Sequence, residues 1–424
     1  MVRRATAKIG FVVGLSAALA GCASNLERVQ YTPALAARAE IPDMSGVRFP
    51  GDAPAAVFDR LRDQVAKAAA ARHEPVTYLA LSGGGGDGAY GAGLLKGLAE
   101  TNRRPQFTIV SGVSTGALMA PFVFLGSSYD PMLQDLYTSG YAATLVKDVN
   151  LLNGLFGNAL VESDKLMQLI KRYVDDDLIQ RIAAEHRKGR RLLIATTNLD
   201  SQHSDIWDMG AIAASGSPRG YKLFRQVLAA SASVPGLFPP RLIDVTADGQ
   251  AFQEMHVDGG TLRQIYVAPD ETIYGTKSGN TGIRDLYILV NNKIDATFDV
   301  VDNSTIPVGS RSLATILKRE GRNNVLGAYS YAARNRIGYH LAFIDAAVKD
   351  LPADDPTKQF SSEYMTFLYN LGEEKGRSAR PWNAQPPLAA DRLPAPQSTP
   401  AGQGVSAAAA PAKALIPPVL GTGG

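Results

Sequence analysis

The sequence predicts an α/β fold, and three observations predict it. Val76–Leu81 is an apolar run of strand length that leads through glycines into a helical segment ending near Ala99. Phe107–Val110, rich in β-branched residues, does the same through Gly112-Val113-Ser114-Thr115-Gly116. Further strand-like runs follow at Arg191–Thr197, Phe252–Val257 and Asp285–Asn291, with a helix at Tyr221–Ser233 among them. The chain of 424 residues is long enough for one large domain, and its net charge of +3 gives no nucleic-acid footprint. A single cysteine excludes an intramolecular disulfide framework.

In chain order, residues 1–21 read as an export signal. Arg3, Arg4 and Lys8 form a basic start, and Ile9–Ala20 is an apolar run too short to span a bilayer comfortably. It ends in Leu19-Ala20-Gly21-Cys22, which resembles the bacterial lipobox and makes Cys22, the only cysteine, the expected lipidation site. Ala23 follows it, which by analogy with lipoprotein sorting favours the outer membrane, facing the periplasm. Residues 22–53, with Pro33, Pro42 and Pro50, read as an extended tether with little core. A helix is expected over Pro54–Arg72, from Val57, Leu61 and Val65 among alanines, and Pro75 stops it.

The loop Ser82-Gly83-Gly84-Gly85-Gly86-Asp87-Gly88-Ala89 between strand and helix exposes several N–H groups to one point, an anion nest. Gly86–Gly91 also matches the dinucleotide pattern Gly-x-Gly-x-x-Gly, but the next strand ends in Ser111–Ser114 where that pattern wants an acidic residue. The competing reading is an oxyanion hole. Gly91, Gly93 and Gly97 in the following helix each cost about 1 kcal/mol of helix propensity against alanine, which points to close backbone approach. Gly112 and Gly116 let the chain turn sharply enough to lift Ser114 above the sheet edge at a helix N-terminus, the arrangement of a nucleophile elbow. Pro121 should kink or shorten that helix.

Residues 127–190 are expected to be helical, with amphipathic stretches at Ser163–Val174 and Asp177–Lys188. Asp175-Asp176-Asp177 is too contiguous for a calcium loop and reads as helix-start charge. Leu151–Gly157 is an apolar loop suited to an acyl pocket, a membrane or ordinary packing. Asp285–Asn291 is expected to be the last core strand, Ser310–Lys349 alternates helical patterns, and Ser361–Lys375 reads as a final helix. The chain from 376 onward is a disordered Pro/Ala/Gly-rich tail by composition.

Taken together, the glycine loop and Gly-x-Ser-x-Gly resemble the patatin-like phospholipase family. Ala195–Asp200, Ala230–Pro240 and Val257-Asp258-Gly259-Gly260 resemble further motifs of that family, so the likeness spans roughly 76–295 of a domain expected over 54–375. The resemblance implies a three-layer α/β/α domain with a mostly parallel sheet. One departure stands out: Asp87 occupies the position where the family commonly has Arg or Lys, which weakens the inference of a phospholipid more than that of acyl hydrolysis.

A serine nucleophile needs a base. A conventional triad would draw on His256, which alternation puts on the same face as Asp258, or on His340. The family resemblance implies instead a dyad of Ser114 and Asp258, with Gly83, Gly84, Gly85 and Gly86 as the oxyanion loop. An aspartate near pKa 4 is a poor base, and desolvation would improve it. The expected activity is hydrolysis of lipid acyl esters through an acyl-enzyme, of the phospholipase A or lysophospholipase type. An acyltransferase, a short-chain esterase and a non-catalytic envelope lipoprotein stay open as alternatives. No metal or cofactor motif is seen, and the expected partners are an ester substrate and the membrane.

Overall fold

Alternation along the strands explains the layering. In a computed structural model that describes residues 28–146, 165–298, 300–345 and 356–387, nine strands form one sheet. They are β1 (Arg48–Pro50), β2 (Val76–Leu81), β3 (Ile109–Gly112), β4 (Arg191–Asn198), β5 (His203–Asp208), β6 (Arg241–Ala247), β7 (Gln250–Asp258), β8 (Ile283–Val290) and β9 (Gly338–Phe343). In β2, Leu79 and Leu81 enter one apolar cluster while Val76, Tyr78 and Ala80 enter the other. The same split separates Leu192 and Ile194 from Leu193 and Ala195 in β4. Strands buried on both faces in this way need helices on both faces.

The helices of six residues or more supply them: α1 (Ala55–Ala71), α2 (Gly88–Glu100), α3 (Thr115–Leu125), α4 (Asp130–Thr138), α5 (Lys165–Tyr173), α6 (Asp176–Arg187), α7 (Met209–Ala214), α8 (Pro218–Ser231), α9 (Thr305–Arg334) and α10 (Ser362–Arg377). Phe58 and Val65 of α1, with Val325, Ala328 and Tyr331 of α9, cover one face. Helices α2 to α8 and α10 cover the other. The result is a three-layer α/β/α fold. The sheet order is β1-β5-β4-β3-β2-β8-β9, with β7 paired to β4 and β6 to β7. β4, β3, β2, β8 and β9 run parallel, whereas β5, β1 and the β6–β7 hairpin add antiparallel pairs.

Helix α10 is fused to α2 by two pairs of small residues. A Cβ on Gly93 would lie 1.9 Å from the Tyr369 carbonyl and one on Gly97 2.2 Å from that of Glu373. Reciprocally, Gly372 and Gly376 face the carbonyls of Tyr90 and Leu94. The glycines of α2 therefore serve close helix approach, and Gly91 packs against Leu289 and Asn291 at the end of β8.

Several expectations are corrected. Residues 28–53 are packed rather than extended: Ile41, Met44, Val47 and Ala53 are buried, and β1 pairs with β5. β8 is not the last core strand, because β9 continues the sheet beside it after the long helix α9. The packed unit runs past 375 to Pro386, with Trp382 edge-on to Tyr287 and Asn383 bridged to Leu341. Pro121 lies inside α3, which nonetheless continues to Leu125. Asp175 caps α6, accepting from the Leu178 N–H at 2.8 Å. The export signal with Cys22, the Leu151–Gly157 loop and the tail beyond 387 lie outside the described residues.

Candidate active site

Ser114 sits in a conformation that only a strong local framework can hold. Its backbone has φ 55 and ψ −125, a region costing a non-glycine residue about 1–3 kcal/mol. The framework is specific. The Ser114 N–H donates to Ser231 Oγ at 3.1 Å, and Ser231 Oγ donates to the Ala195 carbonyl at 2.7 Å, tying the turn to β4. Gly112 and Gly116 are there because the chain passes too close for a side chain: Cβ atoms would meet the Gly116 and Leu81 carbonyls, each at 2.5 Å. Ser114 starts α3, its carbonyl accepting from the Ala117 N–H, and it is only 6% exposed. Ser231 lies in a motif quoted from the sequence, but nothing there signalled this supporting contact.

The glycine loop lies directly against the elbow, since a Cβ at Gly83 would stand 3.2 Å from Ser114 Cβ. Gly83 is nevertheless corrected as a hole donor: its N–H already donates to the Gln264 carbonyl at 3.2 Å. Among the described residues, the amides of Gly84, Gly85 and Gly86 have no backbone acceptor. Gly84 has φ 157, and a Cβ there would overlap the Asn291 carbonyl at 1.8 Å, so the loop is pressed onto the end of β8. On its other side a Cβ at Gly86 would stand 2.0 Å from the Gln359 carbonyl. The dinucleotide reading gains nothing from the structure, since β3 beside the loop ends at Gly112 with no acidic residue.

Asp258 ends β7 at the register position of Thr196 in β4 and is buried. Its Oδ1 accepts from the Gly260 N–H at 2.7 Å. Its Oδ2 is buried without a hydrogen-bond partner of standard geometry, and the Ser114 side chain is close enough to favour the ionised form. Burial pushes this carboxyl up to about 7, with Ser114 and the Gly260 amide pulling the other way.

The histidines weighed for a triad are engaged elsewhere. His256 is wholly buried and shares a 3.0 Å hydrogen bond with Thr196 Oγ1 through Nδ1, while Nε2 faces Glu254 at 3.3 Å. His340 stands on β9, not on a helix, bonded to Asp285 at 3.0 Å and stacked on Tyr287. His203 pairs with Asp52 and His186 lies beside Asp208. Asp205, Glu254 and His256 converge closely enough to suggest a metal site. The Arg48 guanidinium already supplies the positive charge there, contacting both Asp205 and Glu254, so this is a buried ion network that fits no added cation.

Asp87 is buried too. It accepts from Tyr364 Oη at 2.7 Å and Gln359 Nε2 at 3.4 Å, both from the C-terminal segment. Burial pushes its carboxyl up to about 6, against the pull of Tyr364, Gln359, Lys318 and Lys293. The side chain anchors α10 over the glycine loop.

Comparison with known proteins bears on this site. The chain is 32% identical over 134 residues to an uncharacterized protein of Acanthamoeba polyphaga mimivirus, a match spanning 30% of this chain and 44% of that protein. The chain thus spans less than half the length of that relative. The crystal structure of VipD from Legionella pneumophila aligns over 84% of this chain and 73% of its own, at 13% identity and a TM-score of 0.31, too low to carry weight. The family model for patatin-like phospholipase matches residues 79–268, from strand β2 through the glycine loop, Ser114 and Asp258. Residues 79–268 are a patatin-like phospholipase domain, of a family of lipid acyl hydrolases.

Proposed function

We propose that the protein hydrolyses acyl esters of lipids with Ser114 as nucleophile and Asp258 as its base. The observation that carries this reading is the Asp258 Oδ2 atom, buried, without a standard partner and beside the Ser114 side chain. A carboxylate near 7 removes the objection to aspartate as a base, because at neutral pH it is both substantially ionised and a better proton acceptor than one near 4.

The substrate carbonyl oxygen binds at the Gly84, Gly85 and Gly86 amides. Ser114 Oγ bonds to the carbonyl carbon while its proton passes to Asp258, giving a tetrahedral oxyanion. Collapse breaks the ester C–O bond, and the alcohol leaves with the proton from Asp258. Water repeats the sequence on the acyl-enzyme, giving up one proton to Asp258, which returns it to Ser114 as the acid departs. Each oxyanion donor is worth about 10²–10³ in rate.

Assay of long-chain phospholipid, lysophospholipid and short p-nitrophenyl esters, with product identification, tests the reading. Activity lost in both Ser114→Ala and Asp258→Asn supports it, and turnover that survives Ser114→Ala refutes it. Cys22 is the proposed anchor to the outer membrane. Cys22→Ala should release the protein from the membrane fraction, and full retention would refute lipidation as its sole tether.

A further inference from the structure

The first half of α9 is built unlike the rest of the fold. None of the described side chains from Thr305 to Asn323 is buried, whereas Asn324, Val325, Ala328, Tyr331 and Ala332 beyond it are. That is roughly five turns of helix lacking a buried face. It is not polar all round. Of the ten large apolar side chains exposed in the described chain, five lie between 298 and 316: Phe298 (95%), Val300 (80%), Val308, Leu313 and Ile316 (63%). Scattered apolar exposure is ordinary, but half of it within one short stretch is a patch.

The same surface is basic. A cavity of about 210 Å³ between α9 and the preceding loop is lined by Arg311, Lys318, Arg319 and Arg322, with Ile294 and Thr297 among the loop residues. Glu320 accepts from Asn324 Nδ2. Val308, Arg311, Thr315, Arg319 and Arg322 recur at three- and four-residue spacing, so the helix presents them along one side. Lys318 and Arg311 each bond Thr297, holding the Phe298 loop to the helix.

The opposite side of α9 adjoins the reaction centre. Gly321 packs on the Gln264 side chain, Gln264 Nε2 donates to the Gly260 carbonyl at 3.0 Å, and the Gln264 carbonyl holds the Gly83 amide. One residue therefore links α9 both to the Asp258 turn and to the glycine loop.

We propose that Phe298, Val300, Val308 and Ile316, with Arg311, Lys318 and Arg319, dock the protein onto an anionic lipid bilayer. Apolar side chains enter the acyl boundary and the cations meet lipid phosphates, the division of labour of an interfacial amphipathic helix. The proposal deepens the lipid acyl hydrolase reading and rests on it.

The test uses the full chain carrying Cys22→Ala, so that no attached lipid contributes, and Ser114→Ala, so that vesicles are not consumed. Co-sedimentation with vesicles of phosphatidylcholine containing phosphatidylglycerol should be at least tenfold stronger than with phosphatidylcholine alone, and should fall at high salt. Each cation near the surface is worth about fivefold, so Arg319→Glu, which reverses one, should weaken binding by more than that. Phe298→Ser with Ile316→Ser should weaken it at least tenfold. In the Ser114 background these exposed substitutions should leave hydrolysis of water-soluble p-nitrophenyl butyrate unchanged. That separates failed docking from failed chemistry. Equal binding to both vesicle types, or variants that bind like the parent, would overturn the proposal. So would concentration-dependent dimerisation abolished by the same variants in a protein that ignores vesicles, which would assign the face to a second copy of the chain.

Discussion

The two ends of one short stretch of β7, residues 254–258, carry buried polar groups, and they are built oppositely. At Glu254 and His256 each charged or polar group has its partners: Arg48 on Glu254, Thr196 on His256, and Trp207 Nε1 on Thr196 at 2.8 Å. At Asp258, two residues further along β7, one carboxylate oxygen is satisfied and the other is not. A closed network is a strut; a buried carboxylate oxygen left beside the Ser114 hydroxyl is a proton acceptor held in waiting. The histidine is the more familiar base, yet its environment binds both of its nitrogens elsewhere.

The largest expected effect separates the two ends by kinetics. Asp258→Asn should lower kcat/KM for a soluble ester by ~10⁴, the scale seen when the acidic member of a catalytic set is removed. His256→Gln should stay within about tenfold of wild type in its folded fraction, because a lost buried hydrogen bond costs stability of roughly 1–3 kcal/mol rather than a chemical step. Comparable losses in the two variants would break the comparison.

Stability should show the reverse pattern. Arg48→Met leaves Glu254 and Asp205 buried with their cation gone and should destabilise by about 3–5 kcal/mol in denaturant unfolding. Asp258→Asn should stabilise, and only at the right pH. Its folded pKa of about 7 lies above the ordinary 3.8, so the native state holds an extra proton between those values and loses stability as pH rises through them. The substitution should therefore gain up to about 4 kcal/mol at pH 8 and nothing at pH 3. A gain independent of pH would mean that the carboxylate is not strained by burial.

How much of this was legible in the sequence depends on how local the signal is. β2 came out residue for residue, and β3 and β4 within two, because each is an apolar run bounded by glycine or charge. The elbow and Asp258 were legible because turn chemistry is written in adjacent glycines. β6, with only alternate residues buried after a Pro-Pro pair, and the edge strand β9 lacked that contrast. Contacts made across the chain left no trace. Arg48 meets Glu254 across 206 positions, and Tyr364 reaches Asp87 across 277, so neither the packed N-terminal segment nor the anchored Asp87 could be read from its neighbours. Gln264, which joins the glycine loop to the Asp258 turn, belongs to no motif at all.

A smaller effect sharpens the same contrast away from β7. Asp87 is also a buried carboxyl, but one held by Tyr364 and Gln359. Tyr364→Phe should cost about 1 kcal/mol of stability and shift rates only through the seating of the glycine loop, well short of Asp258→Asn. A loss of rate as large as that of Asp258→Asn would place Asp87 in the chemistry.

The pH dependence of Ser114 acylation by a fluorophosphonate tests the central claim most directly, because it reads nucleophile activation without any choice of lipid. Wild type should label with a rate that rises tenfold per pH unit up to an inflection near 7 and then levels, whereas Asp258→Asn should label slowly at every pH. Labelling of Asp258→Asn at the wild-type rate, or a wild-type rate flat from pH 5 to 9, would contradict it.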